Sequence, residues 1–112
     1  MSEKNDIVAK YDHQQLDKVI HARIRFAALA YLYSASQASF VEIREQIRAT
    51  DGNLSVHMRK LEVAGYISCD KEFLARKPQT LYSITPVGKE AFLRYRGHLG
   101  SFFGNDYAME IA

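Results

Sequence analysis

The stretch Thr50–Ile67, "TDGNLSVHMRKLEVAGYI", decides how this chain is read. Thr50 or Asp51 suits the residue that caps a helix N-terminus. Gly65 suits the left-handed position that ends one, so a helix is expected over Asp51–Ala64. Residues turn about 100° each around a helix, which puts Leu54, Met58 and Leu61 on one narrow apolar stripe. Asn53, Val56, Arg59, Lys60 and Val63 lie broadly opposite that stripe, and Ser55 and His57 flank it. Polar side chains on an outer face are usually just solvated. Here the helix opens with Asp51-Gly52-Asn53, small or polar residues that let another backbone come close.

Upstream, Ser39-Phe40-Val41-Glu42 matches a capping box, in which the hydroxyl and the carboxylate both satisfy free backbone N–H groups. Phe40, Ile43 and Ile47 give that helix its buried stripe, and it ends near Arg48-Ala49. Two helices joined so tightly must cross steeply, as in a helix-turn-helix. Downstream, "YISCD" (66–70) and "TLYSIT" (80–85) alternate as short strands, and "KEFLARKPQ" (71–79) forms the basic tip between them. Thr85-Pro86 is a cap followed by a first-turn proline, opening a helix that reaches Phe103.

Towards the N-terminus, "ARIRFAALAYLYSA" (22–35) reads as a long helix that is apolar on several sides. Leu16, Val19 and Ile20 suggest a short helix before it, and "SQAS" (36–39) a loop after it. The expected fold is mainly α with a small β-hairpin (α+β), a winged helix-turn-helix with helical extensions. Residues 1–112 are read as one domain: polar leader 1–15, helix-turn-helix 39–65, hairpin wing 66–85 and C-terminal helix 86–103.

The totals set bounds. A chain of 112 residues points to one core, burying roughly two-thirds of its unfolded surface. An apolar fraction of 47% with 25% charged residues is ordinary for a globular protein. No apolar run approaches the roughly 18 residues of a membrane span, and the charged N-terminus is no secretory signal. One cysteine, Cys69, excludes an internal disulfide and fits a reducing cytoplasm. A net charge of +2 is too small to argue for a polyanionic partner by itself, so the placement of charge matters.

Double-stranded DNA supplies what the outer face of the third helix lacks. An α-helix fits the major groove, where residues near its N-terminus reach base edges. Asn53 can offer its amide to a base and Val56 can meet a thymine methyl; Ser55, His57, Arg59 and Lys60 can reach phosphates or bases, with Gly52 allowing the approach. Lys71, Arg76, Lys77, Gln79 and Thr80 are the wing candidates, for the neighbouring minor groove or its phosphates. Asp51 is read as serving the helix N-terminus, where negative charge is favourable.

At this point "TDGNLSVHMRKLEVAGYI", "KPQTLYSITPVGKEAF" and "LDKVIHARIRFAAL" resemble the winged-helix transcriptional regulators of the MarR/ArsR-like group. The resemblance covers about residues 16–96. Its specific part is the ordered series Gly-Asn-Leu-Ser, His, Lys-Leu-Glu, Ala-Gly-Tyr, Pro-x-Thr and Thr-Pro-x-Gly. It implies a dimeric, DNA-binding transcription regulator with recognition helix Asp51–Ala64 and a wing at about Asp70–Thr80. The sequence departs from the pattern at Arg48 and Ala75, where relatives often have Gly, and at Arg23, where they often have Pro.

Other chemistry finds little footing. His13, His21, His57 and His98 are scattered, without ligand spacing, so neither metal nor cofactor is expected. Cys69 is read as a small buried residue rather than a redox sensor. No nucleophilic triad, phosphate-cradling glycine loop or catalytic carboxylate pair stands out, and the chain is not expected to be an enzyme. The aromatic residues of the terminal helices exceed what one small domain covers, which predicts a two-fold homodimer. Its interface is expected to use Phe26, Leu29, Tyr33, Phe92, Tyr95, Leu99, Phe102 and Phe103. The expected activity is that of a repressor acting as a homodimer on a pseudo-palindromic operator, with localisation in the cytoplasm on DNA. A small-molecule effector, unidentified by the sequence, would sit between the terminal helices. The alternative is a winged-helix protein-interaction module without DNA binding, favoured by Asp51, Glu62, Asp70 and Glu72 near the same surface.

Overall fold

The computed structural model describes residues 11–74 and 76–104. The first ten residues of the polar leader and the departure at Ala75 lie outside the described residues. The order of elements is a short 3-10 turn (His13–Gln15), α1 (Arg23–Ala35), β1 (Gln37–Ser39), α2 (Phe40–Ile47), α3 (Asp51–Val63), β2 (Ile67–Leu74), β3 (Lys77–Ile84) and α4 (Pro86–Ser101).

The core confirms the stripe on the third helix. Leu54, Met58 and Leu61 are fully buried, together with Ile20, Ala28, Leu29, Leu32 and Ile43. The helix begins as its sequence implies: the Thr50 hydroxyl accepts from the Asn53 N–H at 3.2 Å. Thr50 is therefore the cap, and the Asp51 carboxylate turns to Arg44 of α2, at 2.6 Å. Between the two helices Arg48 takes the left-handed conformation (φ 60°, ψ 47°), the place where glycine is most at ease. Ser39 caps α2 through the Glu42 N–H at 3.0 Å. The other half of the expected capping box is absent, because the Glu42 carboxylate accepts from the Tyr31 hydroxyl instead. That bond stabilises the neutral phenol and raises the Tyr31 pKa.

Three expectations need correction. Residues 37–39 are a strand rather than loop: β1 pairs antiparallel with β3, Ala38 opposite Tyr82, giving a three-stranded sheet in the order β1-β3-β2. Ser36, at φ 71°, turns the chain sharply out of α1 and into that strand. Leu16–Ile20 is not a helix. The Asp17 carboxylate accepts from the N–H groups of Val19 (2.8 Å) and Ile20 (3.0 Å), a local turn that competes with helix. The hairpin is also longer than expected, its strands pairing from Ile67↔Ile84 out to Leu74↔Lys77.

One junction fixes α4 against the end of α3. Gly65 (φ 82°) closes α3 as expected, and its carbonyl accepts from the Thr85 hydroxyl at 2.7 Å. The same hydroxyl accepts from the Gly88 N–H at 2.9 Å, while the Thr85 N–H donates to the Tyr66 carbonyl at 3.0 Å. α4 thereby passes so close to Tyr66 that a Cβ on Gly88 would lie 2.1 Å from the Tyr66 carbonyl oxygen. Gly88→Ala should therefore destabilise the fold by about 2–3 kcal/mol, in the range of overpacked cores, read as a lower urea midpoint. Arg48→Gly should do the reverse, raising stability by about 0.5–1 kcal/mol as the left-handed strain is relieved. A midpoint unchanged by the first or lowered by the second would contradict these backbone assignments.

Candidate nucleic-acid interface

The core stripe of α3 leaves its opposite side open. Gly52, Asn53, Ser55, Val56, Arg59, Lys60 and Val63 are all exposed; Val56 retains 55% and Val63 77% of its surface. A Cβ on Gly52 would meet nothing within 4 Å, so packing does not demand that glycine. Exposed valines are common on protein surfaces, so it is their place among polar and basic side chains on one helix face that matters here.

The wing stands beside this face. In the β2–β3 register Lys71 is opposite Thr80 and Cys69 opposite Tyr82, and these four side chains line a groove with Ser55 and Arg59 of α3. The groove has a volume of about 710 Å³. Gln79 is paired with Glu72, one step along each strand, and so stands on the other face of the sheet. Arg76, at φ 69°, and Lys77 are exposed at the wing tip. Sequence reasoning grouped all five wing residues; the structure brings Lys71 and Thr80 to α3 and leaves Arg76, Lys77 and Gln79 further out. At the base of the groove burial pushes the Cys69 thiol up, with Glu62 adding to the effect, so it stays protonated at neutral pH. Burial likewise carries the Tyr82 phenol to about 12.

His57 occupies the other edge of the face, half-buried, and its partner was not foreseen. The Nδ1 atom lies 2.8 Å from a terminal nitrogen of Arg25 on α1. A guanidinium has no acceptor, so Nδ1 must accept and the imidazole proton sits on Nε2. Arg25 is itself held by its Nε–H donating to the Val19 carbonyl at 2.5 Å. Burial lowers the His57 pKa, and the charges of Arg25 and Lys60 lower it further. Nothing in the spacing of the sequence joins residues 25 and 57; only the packing of α1 on α3 does.

A helix-turn-helix followed by a basic hairpin, with the third helix projecting, is the arrangement on which the comparisons with known proteins converge. Residues 24–103 match the family described as winged helix DNA-binding domain. The chain belongs to that family. It is a family of DNA-binding domains, not of catalysts. An uncharacterised protein of Methanocaldococcus jannaschii is 33% identical over 78 residues, covering 70% of this chain and 85% of that one. Among solved structures, a transcriptional regulator homologue from Pyrococcus horikoshii superposes with a TM-score of 0.72 at 25% identity, over 92% of this chain and 95% of that one. A Streptococcus mutans protein, smu.1704, superposes with a TM-score of 0.59 at 15% identity, over 81% of this chain and 91% of that one. The last of these speaks for the winged-helix fold alone.

The terminal helices of this winged helix carry an aromatic ladder. Phe26 and Tyr33 of α1 stack on Phe92 of α4, with ring centroids 6.0 and 5.2 Å away. Phe26, Tyr33 and Phe103 are exposed, and Leu99 and Phe102 half-buried. Leu29, Phe92 and Tyr95 were expected on an interface and need correction: Leu29 is fully buried, Phe92 9% and Tyr95 4% exposed, within the core of the single chain. They back the exposed rings rather than offering surface themselves. Leu93, 42% exposed on α4, joins this outer apolar set, although the expected interface did not include it. Among the described residues no helix is long and apolar enough to cross a membrane.

The lowered His57 pKa has a consequence for stability. The unfolded chain takes up the His57 proton first, so this contribution is complete above about pH 6.5 and is lost as pH falls from there through the lower folded value. His57→Asn keeps an acceptor for Arg25 but does not titrate. Urea stability measured at pH 7.5 and 5.5 should fall less in this variant than in the wild type. An equal fall in both would remove His57 from the pH response.

Proposed function

We propose that this winged helix is a sequence-specific transcription regulator, a repressor, working as a homodimer in the cytoplasm on a pseudo-palindromic DNA operator. The observation that carries the reading is the outer face of α3. Asn53, Val56, Arg59 and Lys60 stand exposed on the side opposite the buried stripe, and Val56, Arg59 and Lys60 share a groove with Lys71 of the wing. In this reading Asn53 and Val56 read base edges, while Arg59, Lys60 and the wing-tip Arg76 and Lys77 hold phosphates. The likeness to the Pyrococcus horikoshii regulator homologue supports a regulatory role. The exposed Phe26, Tyr33, Leu93 and Phe103 support a dimer through the terminal helices. A two-fold dimer then sets its α3 helices about 34 Å apart, one DNA turn, or a multiple of that. Repression needs only that the bound dimer occlude a promoter. A small-molecule effector between the terminal helices would act by binding two α3 spacings unequally.

The rival reading, a protein-interaction module, rested on acidic residues near the same face. Asp51 loses much of its weight because Arg44 neutralises it at 2.6 Å.

The test is selection of bound duplexes from a random pool, followed by titration of the selected operator. Lys60→Ala combined with Arg76→Ala should weaken binding at every salt concentration and reduce the log K–log salt slope by about 1.8, roughly 0.9 for each phosphate no longer neutralised. Asn53→Ala should relax preference at one base position, costing about 1–3 kcal/mol on the selected site and little on random DNA. Unchanged affinity and slope in the double variant would remove this surface from DNA binding, and failure to select any duplex would overturn the reading itself.

A further inference from the structure

A second groove runs along the side of α3 away from the wing. It has a volume of about 300 Å³ and is lined by Lys18, Val19, Arg25, Arg59, Lys60 and Val63. Four of these six residues are cations and none is an acid. Two carboxylates adjoin the lining in sequence: Asp17 is already committed to the N–H groups of Val19 and Ile20 and to the Tyr66 hydroxyl at 2.6 Å, and Glu62 lines the wing-side groove rather than this one. Among the described residues no acid lies within ion-pair distance of Lys18, Arg25, Arg59 or Lys60. Four like charges gathered without a counter-charge repel one another, and the arrangement is favourable only when an anion is present.

Arg25 is unusually prepared for one. Its Nε–H is held by the Val19 carbonyl and one terminal N–H by His57, which fixes the plane of the guanidinium and leaves three of its five donors. A guanidinium held in this way loses little freedom when it meets a phosphate oxygen. Arg59 and Lys60 line both this groove and the one beneath the wing. The positive residues therefore run as a band across α3 from Lys71 through Arg59 and Lys60 to Arg25 and Lys18, with the single acid Glu62 on the wing side only. A band of this kind suits a polyanion better than a small free anion, which a single compact pocket would hold.

We propose that Lys18 and Arg25, with Arg59 and Lys60, form a phosphate clamp for the DNA backbone on the side of the recognition helix opposite the wing. The clamp rests on the DNA-binding reading above and extends it to two residues outside the helix-turn-helix and the wing. Sugar-phosphate groups are the same in every sequence, so the clamp adds affinity and fixes the angle of α3 in its groove without reading bases.

Lys18→Gln is the cleanest probe, because Lys18 is exposed and lies in no bond that holds the fold. On the selected operator and on a random duplex alike, this variant should bind roughly 3–10-fold more weakly near 0.1 M salt, with the salt slope reduced by about 0.9. Arg25→Gln should act in the same direction, and its urea midpoint reports any part due to the broken His57 hydrogen bond. Neutral methylphosphonate groups placed one at a time along the operator should reveal a phosphate whose removal weakens the wild type but not Lys18→Gln. If the wild type binds the operator while Lys18→Gln keeps its full affinity and slope, the clamp is overturned and the DNA reading stands. If the wild type binds no duplex, both fall together.

Discussion

The structure depends most on the few atoms at Gly65–Tyr66. α3 stops there and the chain reverses into β2. The positive φ of Gly65 makes the stop, and two consecutive carbonyls, Gly65 and Tyr66, then accept from the Thr85 side chain and backbone. The same Thr85 hydroxyl caps α4, and Gly88 lets that helix lie against the Tyr66 carbonyl. On its other side the Tyr66 hydroxyl donates to Asp17, which shapes the turn presenting Lys18 and Val19. Burial and that carboxylate push the Tyr66 phenol up to about 12, so it remains a donor at any physiological pH. Four parts of the chain meet at one turn. The position of α3 relative to the wing and the N-terminal turn is fixed there as well as by the helix's buried stripe.

With its end fixed, α3 carries its charges in two environments. Asp51, at the tip that would enter a groove first, is drawn back onto Arg44 of α2. An exposed pair of this kind adds little stability. Its larger effect is to remove a negative charge from the leading edge and to tie the two helices across the strained Arg48 turn. Further along, Arg59 and Lys60 have no such partner among the described residues, and the neutral His57 adds no charge beside them. A small net charge thus coexists with a strongly directional surface, which composition averages away.

What was legible in the sequence was whatever a local rule governs. The Leu54–Met58–Leu61 stripe, the Ser39, Thr50 and Thr85 caps and the Gly65 stop each depend on residues within one or two turns, and each is found where the spacing puts it. β1 escaped because three residues cannot display an alternation, and Ala38 is inward only by virtue of Tyr82 forty-four positions later. Leu16–Ile20 had helical spacing, but Asp17 offered the backbone a closer acceptor. The Arg25–His57 hydrogen bond and the neighbouring cations were illegible for the same reason as β1. They come from α1 crossing α3, and no period in the sequence encodes that crossing.

The terminal helices show how far exposure can be inferred from an apolar surplus. The count of aromatic rings was a sound reason to expect more apolar surface than one core absorbs, yet it did not say which rings would remain outside. Packing answers this by stacking. Phe92 is covered by Phe26 and Tyr33, so the inner ring is buried and the outer two carry the exposed surface. Phe26 follows Arg25 directly in α1, and the two side chains point to different neighbours, one to the ladder and one to His57 on α3. A rigid helix cannot shift one without moving the other. In the proposed dimer, α1 would thus link the packing of the terminal helices to the flank of α3, and an effector that bound two such arrangements unequally would, by linkage, bind differently when DNA is present.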